Sequence, residues 1–246
     1  MNVELKPGER LDDLQNGDYK LIQKSGTFCF GTDTVLLADF AHPRKRERVA
    51  DLGCGNGAIA ILMAAHQSDI CVEAVEIQPE MADMAARSVR LNGLEERIHV
   101  HQCDMREVWR SLGREQCALA VCNPPYGAQG ATLLSESEAK RIARHEGDLT
   151  LDDVAASAAA ILKFGGRFCV IFPSPRAFEM MSAMQAHQLA PKRIRTVHAR
   201  PGRAPRFVLI EAVKGGGSGL HWLEPLVLGN ADGSPSAEWK RIYGQE

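Results

Sequence analysis

The fold is decided by the stretch Arg48-Val49-Ala50-Asp51-Leu52-Gly53-Cys54-Gly55-Asn56-Gly57, in which an apolar run leads into three glycines at alternate positions. The apolar residues 58–65 that follow predict a buried helix. A strand, glycine loop and helix in this order permit a tight turn and a close approach of the backbone to a ligand at the start of the helix. The glycine spacing differs from the dinucleotide fingerprint G-x-G-x-x-G, which counts against a nicotinamide enzyme.

Two carboxylates follow the next two predicted strands. Residues 72–76 predict a strand ending in Glu76, about 20 residues past the glycine loop, where an acidic residue suits ribose hydroxyls. Residues 98–102 predict another strand, and Asp104 just beyond it could accept a hydrogen bond from an adenine amine. Both side chains could instead be solvated carboxylates at strand ends.

A rigid turn, Asn123-Pro124-Pro125-Tyr126, follows the apolar residues 118–122, which predict a short buried strand. The prolines cannot extend that strand, because they lack amide hydrogens and fix the backbone angle. The Asn123 side-chain oxygen and the Pro124 carbonyl could together accept both hydrogens of a planar NH2 group, and Tyr126 could stack on that group. The turn could also be purely structural.

Taken in order, these elements resemble the class I S-adenosylmethionine (SAM)-dependent methyltransferases. The resemblance implies an α/β, Rossmann-like fold with a mostly parallel seven-stranded sheet and helices on both faces. The cofactor SAM is expected to contact Thr32, Asp33, Asp51, Gly53, Gly55, Asn56, Gly57, Glu76, Ile77, Asp104, Met105 and Asn123. Thr32 and Asp33 also have a second interpretation, as the cap of a helix over residues 35–40.

The chain alternates predicted strands and helices, which favours a parallel sheet. Residues 79–92, 151–162 and 175–188 predict helices, and residues 167–172 and 207–213 predict strands. Three parts are expected: a lead-in segment (residues 1–43) that packs on the catalytic domain, the methyltransferase domain (residues 44–214), and a tail (residues 215–246) after a glycine-rich link.

Composition indicates an ordinary globular protein expected in the cytoplasm. The 246 residues are 45% hydrophobic and 24% charged, and the sequence shows neither a membrane-length apolar run nor a signal-peptide pattern. Seven cysteines without a C-x-x-C pair predict reduced thiols. His99 and His101 would share one strand face, but no third ligand has a recognisable spacing, so no metal is expected.

The flanking elements narrow the resemblance. Gly31-Thr32-Asp33, the Asn-Pro-Pro-Tyr turn, Arg144-His145-Glu146 and Ile242-Tyr243-Gly244 are similar to the bacterial methyltransferases that modify N6 of adenine-37 in tRNA(Val). The likeness runs from about residue 19 to residue 243. It implies a monomeric enzyme with a tRNA substrate, in which Asn123, Pro124 and Tyr126 are catalytic.

Other interpretations of the same turn stay open. Protein glutamine methyltransferases that act on release factors also use Asn-Pro-Pro-Tyr, because a glutamine side chain carries a planar NH2 group too. Those proteins usually carry a longer helical domain before the glycine loop, and no such multi-helix pattern precedes Asp51. A guanine-N2 methyltransferase and a non-catalytic RNA-binding module remain as further alternatives.

Basic residues are concentrated in two segments although the net charge is -2. Residues 192–206 contain several arginines and no acidic residue, and a second basic group follows the active-site turn. Such segments could follow a phosphate backbone, or they could be a solvated surface. The candidate RNA-binding residues are Arg144, His145, Arg193, Arg200, Arg203 and Arg206.

Overall fold

A computed structural model describes residues 4–14, 18–25, 30–124 and 149–245. Within these residues the central sheet has nine strands: β3 (Arg48–Leu52), β4 (Cys71–Glu76), β5 (Ile98–Gln102), β6 (Cys117–Cys122), β7 (Leu162–Pro173), β8 (Leu189–His198), β9 (Phe207–Lys214), β10 (His221–Trp222) and β11 (Leu226–Val227). A separate antiparallel hairpin pairs β1 (Glu9–Asp13) with β2 (Lys20–Lys24).

The strand order confirms the predicted class and corrects the strand count. The order is β10-β8-β9-β7-β6-β3-β4-β5, and β11 also pairs with β8. Strands β7, β6, β3, β4 and β5 are parallel to one another, whereas β9 runs antiparallel to both β7 and β8. Seven long strands therefore form the expected mostly parallel sheet. The two additional strands have two residues each, which is too short for a periodic sequence signal.

Helices cover both faces of this sheet, as predicted. They are α1 (Thr32–Ala41), α2 (Ala58–His66), α3 (Pro79–Leu91), α4 (Val108–Leu112), α5 (Leu151–Ile161), α6 (Ala177–Ala186) and α7 (Ala237–Ile242). Helices α1, α2 and α3 pack on one face, and α4, α5 and α6 pack on the other. Successive strand residues face opposite cores: Val49 of β3 joins the first core, and Ala50 joins the second. This arrangement explains why the central strand β6 is continuously apolar.

Strand β7 begins earlier than predicted. It includes Gly165, which has a positive φ of 76°, and the pairing with β6 shifts register between Cys117 and Leu119. Gly165 and Gly166, which lie just before the predicted strand 167–172, are therefore part of an irregular stretch within β7.

A buried ion network joins the segment between α1 and β3 to strands β7 and β9. Arg167 of β7 donates to the Ala41 carbonyl at 2.9 Å, to Glu47 at 2.9 Å and to Glu211 of β9 at 3.3 Å. Arg167 and Glu211 are 7% and 5% exposed, so each charge depends on the other for compensation.

Both terminal segments contact the central domain. The β2 amide of Ile22 donates to Ser88 of α3 at 3.0 Å. At the other end of the chain, Leu226 and Ile242 enter the first core. The described part of the chain contains no helix with the length and apolar content needed to cross a membrane. The six cysteines within that part are all free thiols, as expected.

Candidate active site

The predicted site residues meet at one edge of the sheet. The glycine loop follows β3, Glu76 ends β4, and Asn123 follows β6. Because β3 pairs in parallel with both β4 and β6, the carboxyl ends of the three strands lie side by side. Helix α2 begins directly after the glycine loop, so its amino end also faces this edge.

The glycine loop is held by backbone bonds and needs its glycines. Gly53, Gly55 and Gly57 have φ values of 75°, 57° and 88°, a region that other residues avoid. The amides of Gly53 and Cys54 both donate to the Val75 carbonyl at 2.9 Å, which ties the loop to β4. A Cβ on Gly57 would lie 3.3 Å from the Ala85 Cβ of α3, so this glycine also permits close helix packing.

Glu76 is hydrogen-bonded to the glycine loop. Its two carboxylate oxygens accept from the amides of Gly55 at 2.9 Å and Gln78 at 2.8 Å. The residue is only 5% exposed, and this burial raises its pKa while the backbone bonds oppose the rise. A carboxylate has about four acceptor positions, so Glu76 can still accept from a ribose hydroxyl.

Asp51 is the least compensated charge at this edge. It is fully buried, and neither carboxylate oxygen has a hydrogen-bond partner among the described residues. Burial raises the pKa of Asp51 to about 7; the nearby Ala60 amide lowers it in part, and the charge of Glu76 raises it further. A buried carboxylate without a partner would be stabilised by a cation or a hydrogen-bond donor from a ligand. The ammonium group of SAM has the chemistry to provide one, so the residues present fit this cofactor.

Three further candidates lie around the same loop. Met105 is buried, and its methyl group would be 3.4 Å from a Cβ on Gly53. Ile77 is 49% exposed, so an apolar surface stands beside Glu76. Asp104 accepts from the Arg106 amide at 2.9 Å and from its guanidinium, and these bonds lower the pKa of Asp104.

Two candidates have roles that the sequence did not indicate. Gly31, rather than Thr32 or Asp33, occupies the N-cap position of α1, although one oxygen of Asp33 accepts from the Thr34 amide at 2.9 Å in the first turn. The other oxygen of Asp33 accepts a hydrogen bond from the Asn123 side-chain NH2 group at 2.9 Å. Asn56 is buried and donates to the Ile22 carbonyl at 3.2 Å, which links the glycine loop to the hairpin.

The candidate RNA-binding arginines separate into two sets. Arg193 lies in β8 and donates to Glu211 at 3.2 Å, as part of the buried ion network. Arg200, Arg203 and Arg206 are exposed in the loop 199–206 between β8 and β9. This loop reaches the active-site edge, because Phe207 pairs with Pro173 at the carboxyl end of β7. Tyr126, Arg144 and His145 lie outside the described residues.

A second cluster of titratable groups lies toward the amino ends of β4 and β5. Ligand atoms of Cys71, Glu73 and His99 all fall within 4.8 Å of one another. Glu73 already accepts from Arg48 at 2.8 Å and bonds His101 at 2.7 Å. These bonds lower the pKa of Glu73 to about 2 against the opposing effect of its burial.

Comparison with known proteins places this site among methyltransferases. The family described as "Methyltransferase small domain" matches residues 18–187 of the chain. A tRNA1(Val) (adenine(37)-N6)-methyltransferase from Yersinia pseudotuberculosis serotype O:3 (strain YPIII) is 30% identical over 86% of this chain and 82% of its own length. The protein of the same name from Yersinia pestis (strain Pestoides F) is 30% identical over 86% of this chain and 84% of its length.

Solved structures agree with the fold. A protein from Agrobacterium tumefaciens described as a predicted O-methyltransferase superposes with a TM-score of 0.73 at 25% identity, over 87% of this chain and 96% of that one. A geranyl diphosphate methyltransferase in complex with SAM superposes with a TM-score of 0.54 at 18% identity, over 74% of this chain and 84% of that one. The second likeness shows the fold alone.

Proposed function

This chain belongs to the methyltransferase small domain family, and we propose that it transfers the methyl group of SAM to the N6 amine of an adenine in tRNA. The relatives are named for adenine-37 of tRNA1(Val), and we propose that adenine in the anticodon loop as the target. The observation that carries the proposal is the position of Asn123, whose amide follows β6 beside the glycine loop at the end of β3.

The chain's own residues would hold the cofactor at this edge. Asp51 would receive the ammonium group, Glu76 the ribose hydroxyls, and Ile77 and Met105 the adenine ring, with Asp104 near the adenine amine. When bound, SAM supplies an electrophilic methyl group on a positively charged sulfonium. The glycines of the loop, which lack side chains, and the start of α2 permit the close backbone approach that such a ligand needs.

Asn123 and Pro124 would prepare the acceptor. The adenine amine is a weak nucleophile because its lone pair is delocalised into the ring. The Asn123 side-chain oxygen and the Pro124 carbonyl, by accepting both N–H bonds, would increase electron density on that nitrogen and aim it at the methyl group. Correct positioning of two reactants can lower a barrier by up to about 7–11 kcal/mol. The amine proton leaves to water after the N–C bond forms, so no strong base is required.

The loop 199–206 supplies a surface for the tRNA backbone. Ser174, at the end of β7, donates through its amide to the Arg206 carbonyl at 3.1 Å and through its hydroxyl to the Pro205 carbonyl at 2.5 Å. These bonds hold the exposed Arg200, Arg203 and Arg206 at the active-site edge, where phosphate groups can be neutralised. Phe178 follows at the first turn of α6 and is 77% exposed, so its ring offers a face for stacking of an unpaired base.

The decisive experiment measures which nucleoside becomes methylated. Purified protein is incubated with SAM and an unmodified tRNA1(Val) transcript, and the digested RNA is examined by mass spectrometry. We expect N6-methyladenosine at one position, and none in a transcript whose adenine-37 is replaced by guanine. Methylation of guanine N2, or of glutamine in a release factor offered in a parallel reaction, would overturn the proposal. The Asn123→Ala variant serves as the matched control for contaminating activity.

A further inference from the structure

The structure joins two elements that are 90 residues apart in the sequence. The Asn123 side-chain NH2 group donates to the Asp33 carboxylate, with 2.9 Å between Nδ2 and Oδ2. Asp33 is the second residue of α1, and its other oxygen, Oδ1, accepts from the Thr34 amide at 2.9 Å within the first turn of that helix. The carboxylate is therefore fixed at both oxygens by neighbouring groups.

This bond decides which way the Asn123 amide faces. An ionised carboxylate only accepts hydrogen bonds, so the NH2 half of the amide must face Asp33 and the carbonyl half must face away. The opposite orientation would set two acceptors against each other. Only the observed orientation presents the Asn123 oxygen as an acceptor for a substrate amine.

The charge of Asp33 also affects the reaction itself. A hydrogen bond to an ionised acceptor is roughly twice as strong as a neutral one, and it polarises the donor amide. A polarised amide carries more negative charge on its oxygen. Since the substrate nitrogen becomes positively charged as its bond to carbon forms, this oxygen would hold the amine more tightly in the transition state than in the ground state.

Gly31 provides the space that the Asp33 carboxylate occupies. A Cβ at position 31 would lie 2.8 Å from Asp33 Oδ1, a distance that forces one of the two to move. Gly31 has a φ of -130°, a conformation that other residues adopt readily, so the glycine is explained by this contact rather than by backbone strain.

We propose that Asp33 is a positioning residue, which orients and polarises the Asn123 amide for the substrate amine, in place of the cofactor contact that the sequence suggested. This inference rests on the proposed methyl transfer to an amine. It predicts that the effect of Asp33 on turnover passes through Asn123, and that Gly31 acts through Asp33.

The test is a double-mutant cycle on kcat with Asp33→Asn, Asn123→Ala and the double variant. Asp33→Asn keeps the shape but loses the charge and the enforced orientation, so we expect kcat to fall by about 10–100-fold. The Kd for SAM, measured by calorimetry, and the KM for RNA should change less than about threefold. In the Asn123→Ala background, Asp33→Asn should lower kcat no further, because the group through which it acts is absent.

Two more variants distinguish a loss of positioning from a general loss of folding. Gly31→Ala, which changes neither partner, should lower kcat by about 3–10-fold without weakening SAM binding, because the carboxylate is displaced. Asp39→Asn, on the same helix but paired with Arg241, should leave kcat unchanged. Equal losses from Asp33→Asn in both Asn123 backgrounds, or at least tenfold weaker SAM binding, would overturn the inference. A wild-type protein that methylates no RNA would instead refute the proposed function.

Discussion

The two sides of the active-site edge differ in how far their charged residues are buried. On the proposed cofactor side, Asp51 and Glu76 are at most 5% exposed, and the glycine loop is held by backbone bonds to β4. On the proposed RNA side, the loop 199–206 presents exposed arginines. Under this proposal, buried groups and a fixed backbone would bind the small cofactor, whereas surface charge would bind the large polyanion. Single substitutions should therefore have large effects on the cofactor side. On the RNA side, each should cause only a small loss of tRNA affinity.

Asn123 lies between these two sides, so we expect its loss to lower kcat more than any other substitution considered, with little effect on binding. Asn123→Ala removes one acceptor for the substrate amine, and we expect kcat to fall by about 10²–10³-fold, as for the loss of one transition-state hydrogen bond elsewhere. SAM affinity should change little. Steady-state kinetics and calorimetry check this, with Asn230→Ala in an exposed turn as the control. Undiminished kcat would refute the assigned role of the turn.

Asp51 should make the stability of the cofactor-free protein depend on pH. Its pKa is raised to about 7 in the folded state, so the folded state retains a proton that the unfolded state releases near pH 4. Stability from this group is therefore lost as pH rises from about 4 through 7, by about 1.4 kcal/mol per unit at most.

Asp51→Asn tests that expectation. The free energy of unfolding should rise by about 2–4 kcal/mol at pH 8 and change little at pH 4, while SAM affinity falls at least about tenfold through loss of a charged partner. Denaturation at several pH values measures the first effect and calorimetry the second. Asp69→Asn, at an exposed carboxylate, is the control. A variant with the wild-type pH slope would show that Asp51 does not carry it.

Gly57 tests whether the cofactor side depends on its backbone. Gly57→Val places a branched side chain at a φ of 88° and against Ala85, so we expect a loss of stability of about 1–3 kcal/mol and roughly tenfold weaker SAM binding. Thermal unfolding and calorimetry measure both quantities. Gly217→Ala is the matched control, because the position lies in open space. Similar losses in the two variants would mean that the glycine geometry is not what matters.

Sequence could predict which residues meet at the proposed cofactor side, because their positions depend on local strand and loop order. The glycines directly follow a strand, and parallel strands bring their carboxyl ends to one edge, so Glu76 and Asn123 were placed correctly relative to Asp51 from chain order alone. The bond between Asp33 and Asn123 had no such signal, since it depends on how α1 packs against the sheet. A Thr-Asp pair at a helix start is typical of a cap, and Asp33 does accept from the Thr34 amide, but only the folded chain shows its second bond, to Asn123.

The RNA side was harder to predict for a related reason. Strand β8 carries Lys192, Arg193 and Arg195, which alternate poorly with apolar residues and were interpreted as a basic segment, with Arg193 as a candidate RNA-binding residue. In the fold, Arg193 bonds Glu211 and Arg195 bonds Glu238 at 2.7 Å, so these charges stabilise the sheet. Charge density along the sequence does not distinguish such paired arginines from those of the loop 199–206.

The smallest predicted effect concerns the exposed arginines of the loop 199–206. Arg200→Ala and Arg203→Ala should each weaken tRNA binding about three- to tenfold at moderate salt, and each should reduce the slope of log K against log salt by about 1. The kcat at saturating tRNA should stay within about twofold, because neither side chain lies on the reacting groups. Binding is measured by fluorescence anisotropy at several salt concentrations. Lys45→Ala, at the opposite end of the sheet, removes an equal charge and should leave the slope unchanged. If it reduces the slope as much, net charge rather than the loop attracts the RNA.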